Sequence, residues 1–269
     1  VTALLAGAGG LLFELLAFRR FGLAAGNTAA ASAWVLGGYL FGLSAGGWLV
    51  YRRLASRSVR QPLRPAVWLY LAVAGIGVGA DTWAAAVGSV TAWQLVLLWA
   101  GVALLPPLAM GAAFPLLFAA RSAPAPGLLI GANLLGSVVA AWVGGNWLIP
   151  ELGMASTRWL AGGAYGLAAG VLVVGCWRSN ALAPSPPNGE PTTDSALDFS
   201  VASVVQLAAA AGFVTLGFEA YLLRRLPFFL EGFQPTLAGV LAAVLLALAV
   251  GAVVVPRILR GVVARRPLT

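Results

Sequence analysis

The sequence contains no histidine and no lysine, and its one cysteine is Cys176. Without imidazole the commonest general base and metal ligand is missing, and without an ε-amino group there is no Schiff-base nucleophile. A lone cysteine can neither close an internal disulfide nor build a thiolate metal cluster. Charge of any kind is also scarce: 9% of the 269 residues, where a soluble domain carries about 25%. The sixteen arginines outnumber the acidic residues by eight. In a soluble protein that excess would suggest nucleic acid. In a chain so poor in charge, orientation in a membrane accounts for it better.

What the sequence does have is apolar surface. Hydrophobic residues make up 61% of it and the mean hydropathy is +0.93. A bilayer core about 30 Å thick takes roughly 20 apolar residues per helical crossing, and backbone polar groups in lipid must be satisfied within the segment. The reading is an all-α polytopic membrane protein with about eight transmembrane helices, at 1–20, 28–51, 66–88, 92–119, 127–149, 158–177, 201–224 and 234–256. Stretches after the second, fourth, sixth and eighth crossings hold eleven of the sixteen arginines. The positive-inside rule makes those stretches cytoplasmic, together with both termini. Residues 178–200, rich in Pro, Ser and acidic side chains, read as a flexible cytoplasmic linker. They separate a six-helix unit (1–177) from a two-helix unit (201–257), which is followed by a basic cytoplasmic tail (258–269). The first apolar stretch has no basic leader and runs into Arg19 and Arg20 instead of a small-residue cleavage site, so no removable signal is expected.

"LLFELLAFRRFG", residues 11–22, places Glu14, Arg19 and Arg20 in an otherwise lipid-compatible run. The pattern recurs. A constant shift of 205 puts Phe13 on Phe218, Glu14 on Glu219, Arg19 on Arg224 and Arg20 on Arg225, and continues through Val35 on Val240, Gly46 on Gly251 and Arg52 on Arg257. Apolar identities are cheap here, but four aligned charges are not. Four crossings, an even number, intervene between the copies, so helices 1–2 and 7–8 would enter the membrane with the same polarity, a parallel repeat like that of major-facilitator transporters. On a helix the two arginines lie about 140° and 240° around from Glu14, so neither neutralises it well. The expected arrangement is crossed pairing, Glu14 with Arg224 or Arg225 and Glu219 with Arg19 or Arg20. Snorkelling of the arginines to the outer surface and handling of substrate or protons are the other readings.

Further polar and helix-breaking residues punctuate the helices. Pro106, Pro107 and Pro115 remove backbone donors from the fourth crossing, which is expected to be kinked or partly unwound, either as a packing bend or to line a pathway. Asn133 and Asn146 are about 20 Å apart along the fifth, and each is expected to make one interhelical hydrogen bond. Asp81, near the outer end of the third, reads as an interfacial residue or a pathway carboxylate. Trp68, Trp93, Trp147, Trp159 and Trp177 near helix ends fit interface belts. The "GAGG" at residues 7–10 lacks the strand and the full fingerprint of a nucleotide-binding turn and reads as helix packing.

Three stretches carry a resemblance: the "FE…RR" start with "VLGGYLFGLSAGGWL", then "LPPLAMGAAFPLL", then "GANLLGSVVAAWVGGNWLIPELG". With them the chain resembles the membrane portion of bacterial spermidine-synthase-like proteins, in which a major-facilitator-like part is fused to a synthase. The likeness implies residence in the bacterial cytoplasmic membrane and a relationship to polyamine enzymes. After Leu259 ten residues remain, and no segment has the strands, glycine-rich turn and acidic residues of an aminopropyltransferase. The chain is therefore expected to be non-catalytic and without cofactor, with no catalytic, cofactor-binding or metal-binding residue carried over from the family. Two roles remain open. One is a membrane subunit or anchor whose partners are the lipid bilayer and other protein subunits, a separate soluble synthase-like domain among them. The other is a transporter of polyamines or another small metabolite through a cavity between the repeats. Nucleic acid is not an expected partner.

Overall fold

A computed structural model describes residues 1–26, 28–56, 63–86, 91–119, 126–181, 221–222, 225 and 233–263. The helices are α1 (Thr2–Ala25), α2 (Ala29–Ser56), α3 (Leu63–Ala86), α4 (Ala92–Trp99), α5 (Leu105–Phe118), α6 (Pro126–Val143), α7 (Gly153–Ala181) and α8 (Phe233–Val263). Among the described residues there is no strand. Six helical stretches are long and apolar enough to cross a membrane, which makes this a multi-pass membrane protein. The expected seventh crossing, 201–224, lies outside the described residues except for Tyr221 and Leu222.

Start signals are local. The Thr28 hydroxyl accepts the Ala31 N–H at 3.1 Å ahead of α2. Thr91 and Gln94 form a capping box at α4, which satisfies donors that the first turn leaves open. α2, α7 and α8 outrun their expected ends, so residues 178–181 of the expected linker and 258–263 of the expected tail are helical.

The fourth crossing, expected to be kinked or partly unwound, stays helical through its prolines, and the fifth stays helical around Pro150. Each widens into a π stretch instead, Ala100–Leu104 before Pro106 and Pro107, and Gly144–Leu152 around Pro150. Proline cannot donate to the carbonyl four residues back and its ring collides with it. A π turn moves that carbonyl aside while keeping its neighbours bonded; the Leu105 N–H accordingly donates to the Ala100 carbonyl.

The expected fifth and sixth crossings form one 52-residue apolar stretch, 126–177, with no loop between them. Gly153, at φ +76°, turns the chain. Gly136 lies against Leu4 and Ala8 while Gly144 lies against Leu12 and Leu15, so α6 runs parallel to α1. Gly9 meets Ala161 and Tyr165, whereas Arg20 lies across Asp81 from Arg158, so α7 returns antiparallel. α3 is parallel to α1, with Gly77 at Phe13 and Asp81 at Arg20. α2 is parallel to α4–α5, with Gly38 at Trp99 and Gly46 at Leu108.

The core is organised around α1, whose most apolar window is 72% buried. Its glycines let neighbours approach the backbone: a methyl group at Gly7 would overlap the Asn133 carbonyl of α6, and one at Gly9 would meet Tyr165 of α7. The "GAGG" stretch is helix packing, as its sequence context indicates. All five tryptophans named for the interface belts are exposed on the outside of the bundle.

Candidate functional site: buried charges around the central helix

Two polar clusters lie along α1. The first is at the end where α1 and α3 finish and α7 begins. Arg20 grips Asp81 with both ends of its guanidinium fork, Nε to Oδ1 at 2.7 Å and Nη2 to Oδ2 at 3.2 Å. Arg158 donates from Nη1 to Oδ2 at 3.2 Å, and its guanidinium lies 5.7 Å from the centre of the Trp159 ring. Asp81 is 2% exposed. Arg20, Asp81 and Arg158 are each five residues from the adjoining helix terminus, Ala25, Ala86 and Gly153, or about 8 Å along the axis. One carboxylate therefore ties three helices together near one end of the bundle.

Asp81 is thus at the depth its sequence position suggests, but it is buried, so the interfacial reading gives way to a paired one. Arg20, one of the two arginines expected to offer Glu219 a partner, is paired with Asp81. Arg19, on the neighbouring face, is exposed as snorkelling requires. Arg225 is exposed with its guanidinium 5.8 Å from the Tyr221 ring centre. Glu219 and Arg224, and with them most of the crossed pairing, lie outside the described residues. The sequence patterning did not single out Arg158. The available signal was depth, because Arg20, Asp81 and Arg158 all fall at one end of the crossings read from hydropathy.

The second cluster is deeper. Glu14, 6% exposed, is within electrostatic reach of the Tyr39 phenol. Gly10, one turn earlier on α1, leaves the space into which the Tyr39 and Tyr165 hydroxyls converge. The Tyr39 hydroxyl donates to Met110 Sδ at 3.5 Å. Tyr165 stacks on Phe13 at 6.1 Å and packs against Tyr70 at 5.6 Å between ring centres. Five helices, α1, α2, α3, α5 and α7, thus contribute to a carboxylate and tyrosine core.

The other sequence candidates are dispersed. Asn146 donates to the Trp142 carbonyl at 2.9 Å, within its own helix, which corrects the expected interhelical bond: in the π stretch the nearest acceptor is one turn back. At Asn133 the interhelical bond belongs to Ser137, whose hydroxyl donates to the Gly7 carbonyl at 3.0 Å. Pro106 and Pro107 are buried, and Pro106 borders a cavity of about 10 Å³ beside Asp81. Pro115 sits inside the regular turns of α5.

A larger cavity of about 410 Å³ opens where α1 ends and α2 and α4 begin. It is lined by Phe21, Ala31, Trp34, Leu95 and Trp99 among others, and Trp99 Nε1 donates to the Trp34 carbonyl at 2.7 Å beside it. Among the described residues no three His, Cys, Asp or Glu side chains gather to hold a metal ion. Compared with protein-family models, curated proteins and solved structures, the chain finds no match in any of the three.

Proposed function

We propose that the chain is a non-catalytic integral membrane subunit or anchor, a helical platform within a larger complex in a bacterial cytoplasmic membrane. It would be related to the membrane part of spermidine-synthase-like proteins and would cross the bilayer eight times, with helices 1–2 repeated in parallel as helices 7–8. The observation that carries this reading is the commitment of Asp81 to two arginines on two other helices. A carboxylate so gripped is a poor carrier of passing cations and a good clasp. The closed packing beside it, a cavity of about 10 Å³, supports the same reading, since that space holds about one water molecule. Gentle solubilisation with measurement of the mass of the purified particle tests it. A stoichiometric partner, a synthase-like soluble domain among the candidates, is the expected result; a particle containing this chain alone would defeat the reading.

The second reading is transport of a polyamine or another small metabolite. It is favoured by the deeper cluster, because a buried carboxylate beside two tyrosine hydroxyls offers the acceptors an ammonium group needs. Uptake of labelled spermidine by liposomes holding the protein, abolished by Glu14→Gln, would establish it in place of the first.

A further inference from the structure

Val102, in the π stretch of the fourth crossing, has a carbonyl that its own helix cannot serve. Three residues on, Leu105 gives its N–H to the Ala100 carbonyl. Four and five residues on stand Pro106 and Pro107, and proline has no N–H. A 3₁₀ bond, an α bond and a π bond are thereby all closed to this oxygen. Val102 is 6% exposed and both prolines are buried, so bulk solvent is a poor substitute. A buried carbonyl in that position needs a donor from elsewhere.

Asp81 has the same need. A carboxylate offers about four lone-pair positions, and the two arginines use three of them. Oδ1 accepts from Arg20 Nε, while Oδ2 accepts from Arg20 Nη2 and from Arg158 Nη1. One position on Oδ1 is left over, and a buried ion pair is favourable only where such remaining lone pairs are also satisfied. Asp81, Val102 and Pro106 border the same cavity of about 10 Å³, with Phe13, Leu16 and Ala17 forming its apolar side.

We propose that this cavity is the binding site of one structural water molecule, which donates one hydrogen bond to Oδ1 of Asp81 and the other to the Val102 carbonyl. The volume is about the least a water requires, and two polar partners are its minimum. Both partners are acceptors, so the guest has to bring two donors. An anion would face two acceptors, a cation would face the guanidinium groups on Asp81, and an apolar filling would leave both oxygens unmet. Water satisfies size, donor count and neutrality together. Ordered water is one of the ways in which a proline-bearing transmembrane helix satisfies its freed backbone groups. The bound water also brings the fourth crossing into the clasp: α1, α3 and α7 meet at Asp81 directly, and the α4–α5 crossing meets it through the water. The site is independent of the subunit and transport readings, since it asks only that Asp81 stay paired with both arginines.

The test is radiolytic hydroxyl-radical labelling of the purified full chain, read by mass spectrometry. Radicals formed from a resident water attack the side chains beside it even where bulk solvent is excluded. Phe13 and Leu16 border the cavity, whereas Phe18 and Leu116 are buried without bordering it. Phe13 and Leu16 should therefore be labelled several-fold faster than Phe18 and Leu116. Pro106→Val keeps three side-chain carbons but supplies an N–H four residues after Val102. The carbonyl then has a donor in its own helix, the water loses one of its two partners, and the excess labelling should disappear. Equal rates in the parent chain overturn the proposal, and so does excess labelling that survives Pro106→Val. Where that variant does not fold, an experimental density map fine enough to show ordered water decides the question. A peak within about 3.2 Å of both oxygens is expected; no peak, a peak touching only one of them, or a protein donor on the Val102 carbonyl overturns the site.

Discussion

Asp81 joins three helices through three hydrogen bonds, and the consequence of removing it depends on what remains. Asp81→Asn leaves a buried and a half-buried guanidinium group without their counter-charge, and breaking a buried ionic cluster from one side costs about 3–5 kcal/mol. A fall of that size should appear in thermal unfolding of the detergent-solubilised protein. Replacing Arg20, Asp81 and Arg158 together by Leu, Leu and Met leaves no stranded charge and should cost less than the single change. The comparison separates a structural clasp from a transport site, since a transport carboxylate would show its loss in flux instead of in unfolding. Asp81 was visible in the sequence as a charge out of place, and its depth followed from hydropathy. Its partners were not visible, because Arg158 is 77 residues away and no local spacing rule reaches that far. Rotation around the helix excluded Glu14 as the partner of its neighbouring arginines but could not nominate another helix.

Helices themselves were largely legible, since long apolar runs in lipid have few alternatives to the helix. The π stretches were not: proline announces a lost donor but does not say whether the chain kinks, unwinds or widens, and the answer depends on neighbours. In α2 and α5 those neighbours are at backbone contact. A methyl group at Gly46 would overlap the Leu108 carbonyl, so Gly46→Ala must push the two helices apart and should lower stability by about 1–3 kcal/mol. Its repeat counterpart Gly251 has open space, and Gly251→Ala should fall within about 0.5 kcal/mol of the parent. Unfolding curves of the two variants in the same detergent make the comparison. Gly153 works differently, through conformation. Its φ of +76° and ψ of 169° lie where residues with a Cβ are strained, so Gly153→Ala should cost about 1–3 kcal/mol although nothing crowds the position. Sequence alone placed a loop here, and the structure replaces it with a single residue that only glycine tolerates well.

At the scale of the molecule, the alternating directions of the helices and the distribution of arginine make one statement about orientation. α1, α3 and α6 run one way and α2, α4–α5 and α7 the other, by the registers at Gly9, Gly46, Asp81 and Gly136. The clasp of Arg20, Asp81 and Arg158 therefore lies at the end opposite Arg52, Arg53 and Arg64. Those three are exposed, and the positive-inside rule predicts the cytoplasmic side for them. Arg20 and Arg158 weigh less against this than free cations would, because both are paired with Asp81, which cancels one of their two positive charges. At the clasp end of the first hairpin Arg19 is exposed, against Arg52, Arg53 and Arg64 at the other end. Single cysteines introduced in a Cys176→Ser background should therefore react in opposite ways with a membrane-impermeant maleimide. In intact cells a cysteine at Ser89 should be labelled, whereas one at Ser122 or Asn188 should react only after the membrane is opened. Labelling of Ser122 in intact cells would invert the protein and place the clasp on the cytoplasmic side.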